Sequence, residues 1–411
     1  MRVLMAPDGF GGTLSPAQAA AALAEGWRRT ASGDDVDLAP LSDGGPGFVD
    51  VLATALPDAR RLAVEVEDPL ARPVRAELLL HGTTAYVESA QACGLHLVAE
   101  EDRDPLRATT YGVGQLLAAA LDAGARRVVV GLGGSATNDG GAGLLAALGL
   151  QRQDAAGQRL APGGLALRDV ARLDGRLDPR LADVELVAAS DVTSPLLGLY
   201  GASAVFGPQK GASREDVALL DGALTRWADV LEAHLGVQVR DRPGAGAAGG
   251  LGAALHALGA TQQPGIALVQ EAVGFDERVA AADLVVTGEG RFDAQSLVGK
   301  VVSGVARAAG EHALPCVVLA GDVQLGRREA AAAGVDQAWS LVDLVGAERA
   351  MADAAAALGE LAAHVAGQWA AGRPAQDVRS WKGPGPHRVD AGAPTEERPT
   401  TTAHDAPTEA T

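Results

Sequence analysis

At 411 residues, 47% of them hydrophobic and only 3% aromatic, the chain is long enough for two domains around cores of small aliphatic side chains. A formal net charge of −18 argues against non-specific nucleic-acid binding and against anionic membrane surfaces. No apolar run reaches the roughly 18 residues of a membrane span, and Met1–Asp8 is too short for a signal peptide. Cys93 and Cys316 have no metal or redox spacing and read as buried small hydrophobes, so a reducing cytoplasm is the expected setting.

In chain order, Arg2 to Ala6 reads as a strand and Pro7–Thr13 as a flexible loop after it. Ser15 caps a helix that Pro16 opens and that runs to about Arg29. Val36 to Leu41 is the next strand, Ser42–Gly47 a second glycine-rich loop, and Val49 to Leu56 a helix. This β-α-β-α start predicts a parallel sheet, whose ligands bind outside the carboxyl ends of the strands. Asp8 and Asp43 both fall there.

The pattern then changes. Leu62–Val66, Val74–Leu80 and Thr84–Glu88 are short alternating runs with a turn at Asp68-Pro69-Leu70, which reads as an antiparallel meander. A domain boundary is placed near Glu67. Asp104–Gly114 is a polar loop leading into a helix from Gln115 to Ala123.

The stretch Val128–Gly143 joins an apolar strand, Arg127–Val130, to a predicted helix, Ala142–Leu150. Gly133, Gly134, Ser135, Thr137, Asn138 and Asp139 lie in the turn between them. Glycines that admit a phosphate, beside the free N–H groups of a helix start, make an anion cradle. The plainer alternative is a tight turn capped by Asn138 or Asp139. Neither a Walker A motif nor a well-placed G-x-G-x-x-G with a following acid is present.

Residues 151–180 read as polar surface structure, and Val184 to Ala189 as a strand. Asp191, at the end of that strand, suits a general base or a metal ligand, with an Asx-turn as the plainer reading. Basic charge is carried almost wholly by Arg; the lysines are Lys210, Lys300 and Lys382. Lys210 and Lys300 sit beside glycines, where a phosphate site would use a compact ammonium. Ser213 and Asp216 form a capping box for a helix running to about Leu235. The glycine/alanine loop Pro243–Gly252 suits either close backbone packing or ligand contact.

Leu284 to Thr287 resumes a buried strand, followed by the charged loop residues Glu289, Arg291 and Asp293. Lys300 opens the next helix. A strand at Pro315–Ala320, a helix at Arg327–Ala333, a strand at Gln337–Leu341 and a long helix from Ala347 to about Ala371 complete the pattern. The β-α rhythm of the start has returned. The expected architecture is an α/β protein of two domains: a flavodoxin- or Rossmann-like parallel-sheet domain from residues 1–66 and 283–372, and an inserted α/β domain from 67–282. Residues 373–411, rich in Pro, Thr, Ala, Gly and Glu, read as a disordered tail.

Taken together, these strings resemble the bacterial glycerate kinase family, which phosphorylates glycerate with ATP. The most specific are Gly133-Gly-Ser-Ala-Thr-Asn-Asp-Gly-Gly141 and Phe206-Gly-Pro-Gln-Lys-Gly-Ala-Ser213. Ala6-Pro-Asp8, Ser42-Asp-Gly-Gly45, Asp104-Pro-Leu106, Thr109-Thr-Tyr-Gly112, Asp191-Val-Thr193, Thr287-Gly-Glu-Gly-Arg291 and Gly299-Lys300 follow the family's order. The resemblance implies ATP and Mg²⁺, with the site in the cleft between the domains. It gives Gly133, Gly134, Ser135, Thr137, Asn138, Asp139 and Lys300 to the nucleotide. Asp191 and Lys210 are then the catalytic candidates, Asp8, Asp43 and Arg291 the acceptor candidates, and Asp191 with Glu289 the metal candidates. The acceptor's 2- and 3-hydroxyls both stay open, as do monomer and homodimer.

Two departures matter. The family's first loop reads Asp-Ser-Phe-Lys, and here Gly11 stands at the lysine; its second reads Asp-Gly-Gly-Glu-Gly-Thr, and here Pro46 and Phe48 replace the acid and the hydroxyl. They leave two competing readings: a kinase with an altered acceptor, or a non-catalytic sugar-acid or nucleotide-binding regulator. A nucleotide-independent sugar-phosphate enzyme on the same scaffold is a further alternative.

Overall fold

The computed structural model describes residues 1–297 and 300–371. Its strands in chain order are β1 (Arg2–Met5), β2 (Asp35–Leu38), β3 (Arg60–Glu67), β4 (Pro73–His81) and β5 (Thr84–Glu88). Next come β6 (Arg127–Gly131), β7 (Leu150–Gln153), β8 (Arg172–Gly175), β9 (Glu185–Ala189) and β10 (Thr261–Gln263). The last are β11 (Leu284–Thr287), β12 (Arg291–Phe292), β13 (Cys316–Ala320), β14 (Asp322–Val323) and β15 (Gln337–Ser340).

Strands from the two chain ends make one parallel sheet of five, in the order β15-β13-β11-β1-β2. Counted along the chain within that sheet, this is the doubly wound order 2-1-3-4-5. Its direction reverses between β1 and β11, so the ligand crevice of such a sheet opens outside the carboxyl ends of those two strands. The intervening segment makes a sheet of six, β10-β9-β6-β5-β4-β3. There β3, β4 and β5 pair antiparallel, as the alternating runs predict, while β5, β6, β9 and β10 pair parallel.

Side chains alternate across each sheet, and the burial follows that period of two. Val3 and Met5 of β1, with Val317 and Leu319 of β13, pack against Trp27 and Leu23 of the helix Pro16–Thr30 and Leu358 and Leu361 of the helix Ala354–Ala370. The opposite face of the same strands, Leu4, Val285 and Val318, shares one apolar core with Leu79, Val129 and Val187 of the second sheet. The helices Phe48–Ala55, Gly265–Ala272 and Val301–Glu311 fill that shared layer. The far face of the second sheet, Leu78, Val128 and Val130, packs with Leu116, Leu224 and Trp227 in a separate core. Val128, Val129 and Val130 thus point in turn to two different cores.

Both capping boxes form: Ser15 Oγ accepts the Gln18 N–H at 3.2 Å, and Ser213 Oγ accepts the Asp216 N–H at 3.1 Å. Cys93 and Cys316 are buried and free. Two expectations need correction. The helix after the glycine-rich stretch ends at Ala147 rather than Leu150, because Gly149 turns left-handed (φ 105°) and Leu150 begins β7, paired with β8. The long C-terminal helix is interrupted at Asp353 (φ −138°), leaving Ala347–Ala352 and Ala354–Ala370 as separate pieces. The expected tail, residues 373–411, lies outside the described residues.

Candidate active site

Loops from the two sheets meet at the carboxyl ends of their strands. A Cβ on Gly131 would strike the Gly44 carbonyl oxygen, and one on Gly133 the Cα of Gly45. Gly44 itself is left-handed (φ 97°). The glycines of Ser42–Gly47 therefore serve a backbone-to-backbone contact with β6 and its loop, closed by the Gly133 N–H donating to Gly44 O at 3.2 Å.

Four acids gather at this junction. Asp8 sits at the switch point of the five-stranded sheet; its N–H donates to Gly288 O at 2.8 Å and its Oδ1 accepts the Gly9 N–H at 2.7 Å. Asp43 Oδ1 accepts the Gly45 N–H at 3.1 Å. Asp191 Oδ2 accepts N–H groups from Gly265 at 3.1 Å and Ile266 at 3.4 Å, the first turn of the helix Gly265–Ala272. Glu289 is buried, and its Oε1 has no hydrogen-bond partner. Lys300, the N-cap of the helix Val301–Glu311, is close enough to Asp8 and Glu289 to act on both electrostatically.

Their mutual repulsion is legible in their ionisation. Burial, then the neighbouring Asp43 and Glu289, holds the Asp8 carboxyl well above the usual carboxylate range, against the pull of Gly9 N–H and Lys300. Burial, with Asp43 adding to it, pushes Asp191 up to about 7. Burial likewise lifts Glu289 to about 7, opposed chiefly by its bond to Ser296 and by Lys300. Such a group of desolvated acids favours an incoming cation. Among the described residues no three His, Cys, Asp or Glu side chains form a ready-made metal cage. That is compatible with Mg²⁺, which takes one or two carboxylates together with substrate phosphates and water. The orphaned Glu289 Oε1 is a fitting donor.

The glycine-rich stretch divides in two. Gly133 and Gly134 line a cavity of about 820 Å³ together with Asp8, Asp43, the segment Gly11–Pro16, Arg61, Arg75, Glu88 and His96. Ser135 is only 5% exposed. Thr137, Asn138 and Asp139 are fully enclosed and do not line this cavity. Asp139 accepts N–H groups from Thr110 at 2.9 Å and from Gly141 and Gly143 at 3.1 Å each, tying down the start of the helix Ala142–Ala147, whose N-cap is Gly141. Asn138 Nδ2 donates to Ser203 Oγ at 2.9 Å.

Lys210 points inward. It is 2% exposed, and its Nζ donates to Ser135 Oγ at 3.0 Å and to Thr137 O at 2.6 Å. It clamps the glycine-rich loop from behind. Burial brings its ammonium down to about 8, opposed by Cys93 and Asp139. The loop Pro243–Gly252 supports the same stretch by close packing, since a Cβ on Gly249 would strike Thr137 O. Arg291 is exposed on β12, outside the residues that line the cavity.

The cavity has a second wall that the motifs leave unmarked: Arg61, Arg75, Glu77, Glu88, Gln91 and His96. Glu88 is buried, its Oε2 accepting the N–H groups of Gly47 and Val49, each at 3.2 Å. Burial pushes its carboxyl up to about 7. Its position at the carboxyl end of β5, in line with Asp191 at the end of β9, is the signal that marks it.

The model of the glycerate kinase family matches residues 3–370. A Mycobacterium bovis protein described only as uncharacterized is 49% identical over 371 residues, 89% of this chain and 91% of its own length. A Bacillus subtilis protein named glycerate kinase is 45% identical over 346 residues, covering 83% of this chain and 90% of that one. The Escherichia coli protein named glycerate 2-kinase is 42% identical over 350 residues, 84% and 92% of the two chains. A crystal structure from Salmonella typhimurium LT2, titled as that of a "putative glycerate kinase 2", superimposes with a TM-score of 0.73 at 42% identity, over 90% of this chain and 99% of that one.

Proposed function

The chain belongs to the glycerate kinase family and is a kinase, and from that premise we propose that it phosphorylates a hydroxyl of glycerate with ATP at the junction of its two sheets. The observation that carries this reading is the convergence of Asp8, Asp43, Asp191, Glu289 and Lys300 on the switch point. Phosphoryl transfer demands positioning and charge neutralisation more than covalent chemistry by the protein.

The division of labour follows from which residues face the cavity. Asp8 and Asp43 line it and bear on the acceptor. Asp8, ionised once a bound cation offsets the repulsion from Asp43 and Glu289, takes the proton of the acceptor hydroxyl as that oxygen attacks the γ-phosphorus. Of the two roles open to Asp191, metal ligand is favoured, because Asp191 is outside the cavity lining and within electrostatic reach of Asp43. Asp191 and Glu289 would hold Mg²⁺, which when bound spreads the charge of the ATP phosphates. Gly133 and Gly134 bring backbone close to the transferring group, Lys300 supplies an ammonium, and Lys210 keeps the loop in shape. With the boundary moved from Glu67 to ahead of β3, which pairs in the six-stranded sheet, residues 1–59 with 283–371 form one domain and 60–282 the other, and the crevice lies where their loops meet.

The test is a coupled ADP-release assay with D-glycerate and related hydroxy acids. The expected result is acceptor-dependent ADP release at roughly 1–100 per second. ATP binding without turnover across the acid panel contradicts this reading and favours a regulator.

A further inference from the structure

Resting on that reading, we propose that Arg75, flanked by Gln91 and His96, binds the carboxylate of the acceptor and restricts the enzyme to hydroxy acids over neutral polyols. The placement comes from strand alternation. Leu79 of β4 belongs to the core shared by the two sheets, so Arg75 and Glu77, on the same face of β4, point to the side of the first sheet, where both line the cavity.

The cavity is otherwise hostile to an anion. Asp8, Asp43, Asp50, Glu77 and Glu88 all line it. Of its two arginines, Arg61 is already engaged, its Nη1 at 2.7 Å from Asp50 Oδ1 and 3.1 Å from Glu77 Oε2. Arg75 makes no ion pair among the described residues, although Glu65 faces it across the β3–β4 pair. The first loop supplies no cation either: Gly11 and Gly12 line the cavity with open space where a side chain would be. Among the described residues Arg75 is thus the cavity cation left free for a substrate, and its planar fork matches a carboxylate.

Its neighbours are suited to the same task. Gln91 Oε1 accepts the Glu77 N–H at 2.7 Å, and its amide NH₂, which also bonds the Glu88 carboxyl, has a second hydrogen to donate. Burial lowers the His96 pKa, so the ring is neutral near pH 7 and offers one N–H without adding charge. The segment carrying His96 is tied to the glycine loop, Leu95 N–H donating to Gly134 O at 2.8 Å. A carboxylate held there lies beside the loop that handles the phosphoryl group.

The experiment pairs steady-state kinetics with direct binding. Arg75→Ala is expected to raise the KM for D-glycerate, and its calorimetric Kd, roughly ten- to a hundredfold. The KM for ATP and the melting temperature stay at wild-type values, and kcat stays within about threefold. Arg75→Lys, which keeps the charge and loses the fork, falls between. The preference for glycerate over glycerol shrinks in proportion. An unchanged Kd and KM in Arg75→Ala overturns the inference, as does absence of D-glycerate binding to the wild type. A wild type that binds D-glycerate through Arg75 without releasing ADP would instead retain the subsite and remove the kinase reading.

Discussion

Asp8→Asn lowers kcat by roughly a hundred- to ten-thousandfold, the range lost with a positioned general base, and the variant melts higher than the wild type at neutral pH. Both halves follow from one cause. The folded state desolvates Asp8 and places Asp43 and Glu289 near it, so its carboxyl keeps a proton well above the ordinary 3.8. As pH rises above that ordinary value, the unfolded chain releases the proton while the folded chain holds it. The unfolded state then binds fewer protons, and stability falls with rising pH across that window. Asparagine has no proton to lose and can still accept the Gly9 N–H that Asp8 accepts. The stability gain is therefore largest at neutral pH and disappears at about pH 3, below both pKa values. Turnover measured beside melts at the two pH values checks this. Near-normal turnover removes Asp8 from the chemistry, and a lower melting temperature at neutral pH contradicts the electrostatic account.

Lys210→Ala is expected to lose about 3–5 kcal/mol of stability, from the cavity left by three methylenes and the ammonium and from a buried carbonyl without its donor. The enclosed side chain spans from its own turn to Ser135 Oγ and Thr137 O, so nothing nearby is exposed enough to recruit water in its place. Lys210→Met separates packing from charge. It refills most of the volume and removes the desolvation penalty of a buried ammonium, so it retains most of the stability. Turnover falls in both variants, because both release the glycine-rich loop from its clamp. Urea unfolding with activity assays distinguishes the outcomes. Wild-type turnover in Lys210→Met shows that the clamp is dispensable.

How far the sequence speaks depends on the range of the interaction. Ser15 and Ser213 announce their helices because a capping box is complete within four residues. The meander β3–β4–β5 is legible from alternation within each strand. Asp8, Asp43 and Asp191 are visible as acids at strand ends, and the structure brings them to one junction. Burial is what stays hidden. The scarcity of lysine flags Lys210 as special, but whether its ammonium meets a ligand or a carbonyl is decided by Ser135 and Thr137, some 70 residues away in sequence. Asp139 has the same history: its partners at Thr110 come from another helix start. Arg75 carries no local signal, because the strand alternates and only the packing of Leu79 shows which face meets the cavity.

ATP is expected to deliver its γ-phosphoryl group where the two sheets' loops meet. A crystal structure with a nonhydrolysable ATP analogue, Mg²⁺ and D-glycerate tests it most directly. The terminal phosphate is expected beside Gly134 and Lys300, with Asp8 facing the acceptor hydroxyl. A triphosphate lodged instead in the separate pocket lined by Arg103, Arg107 and Arg168 would contradict it.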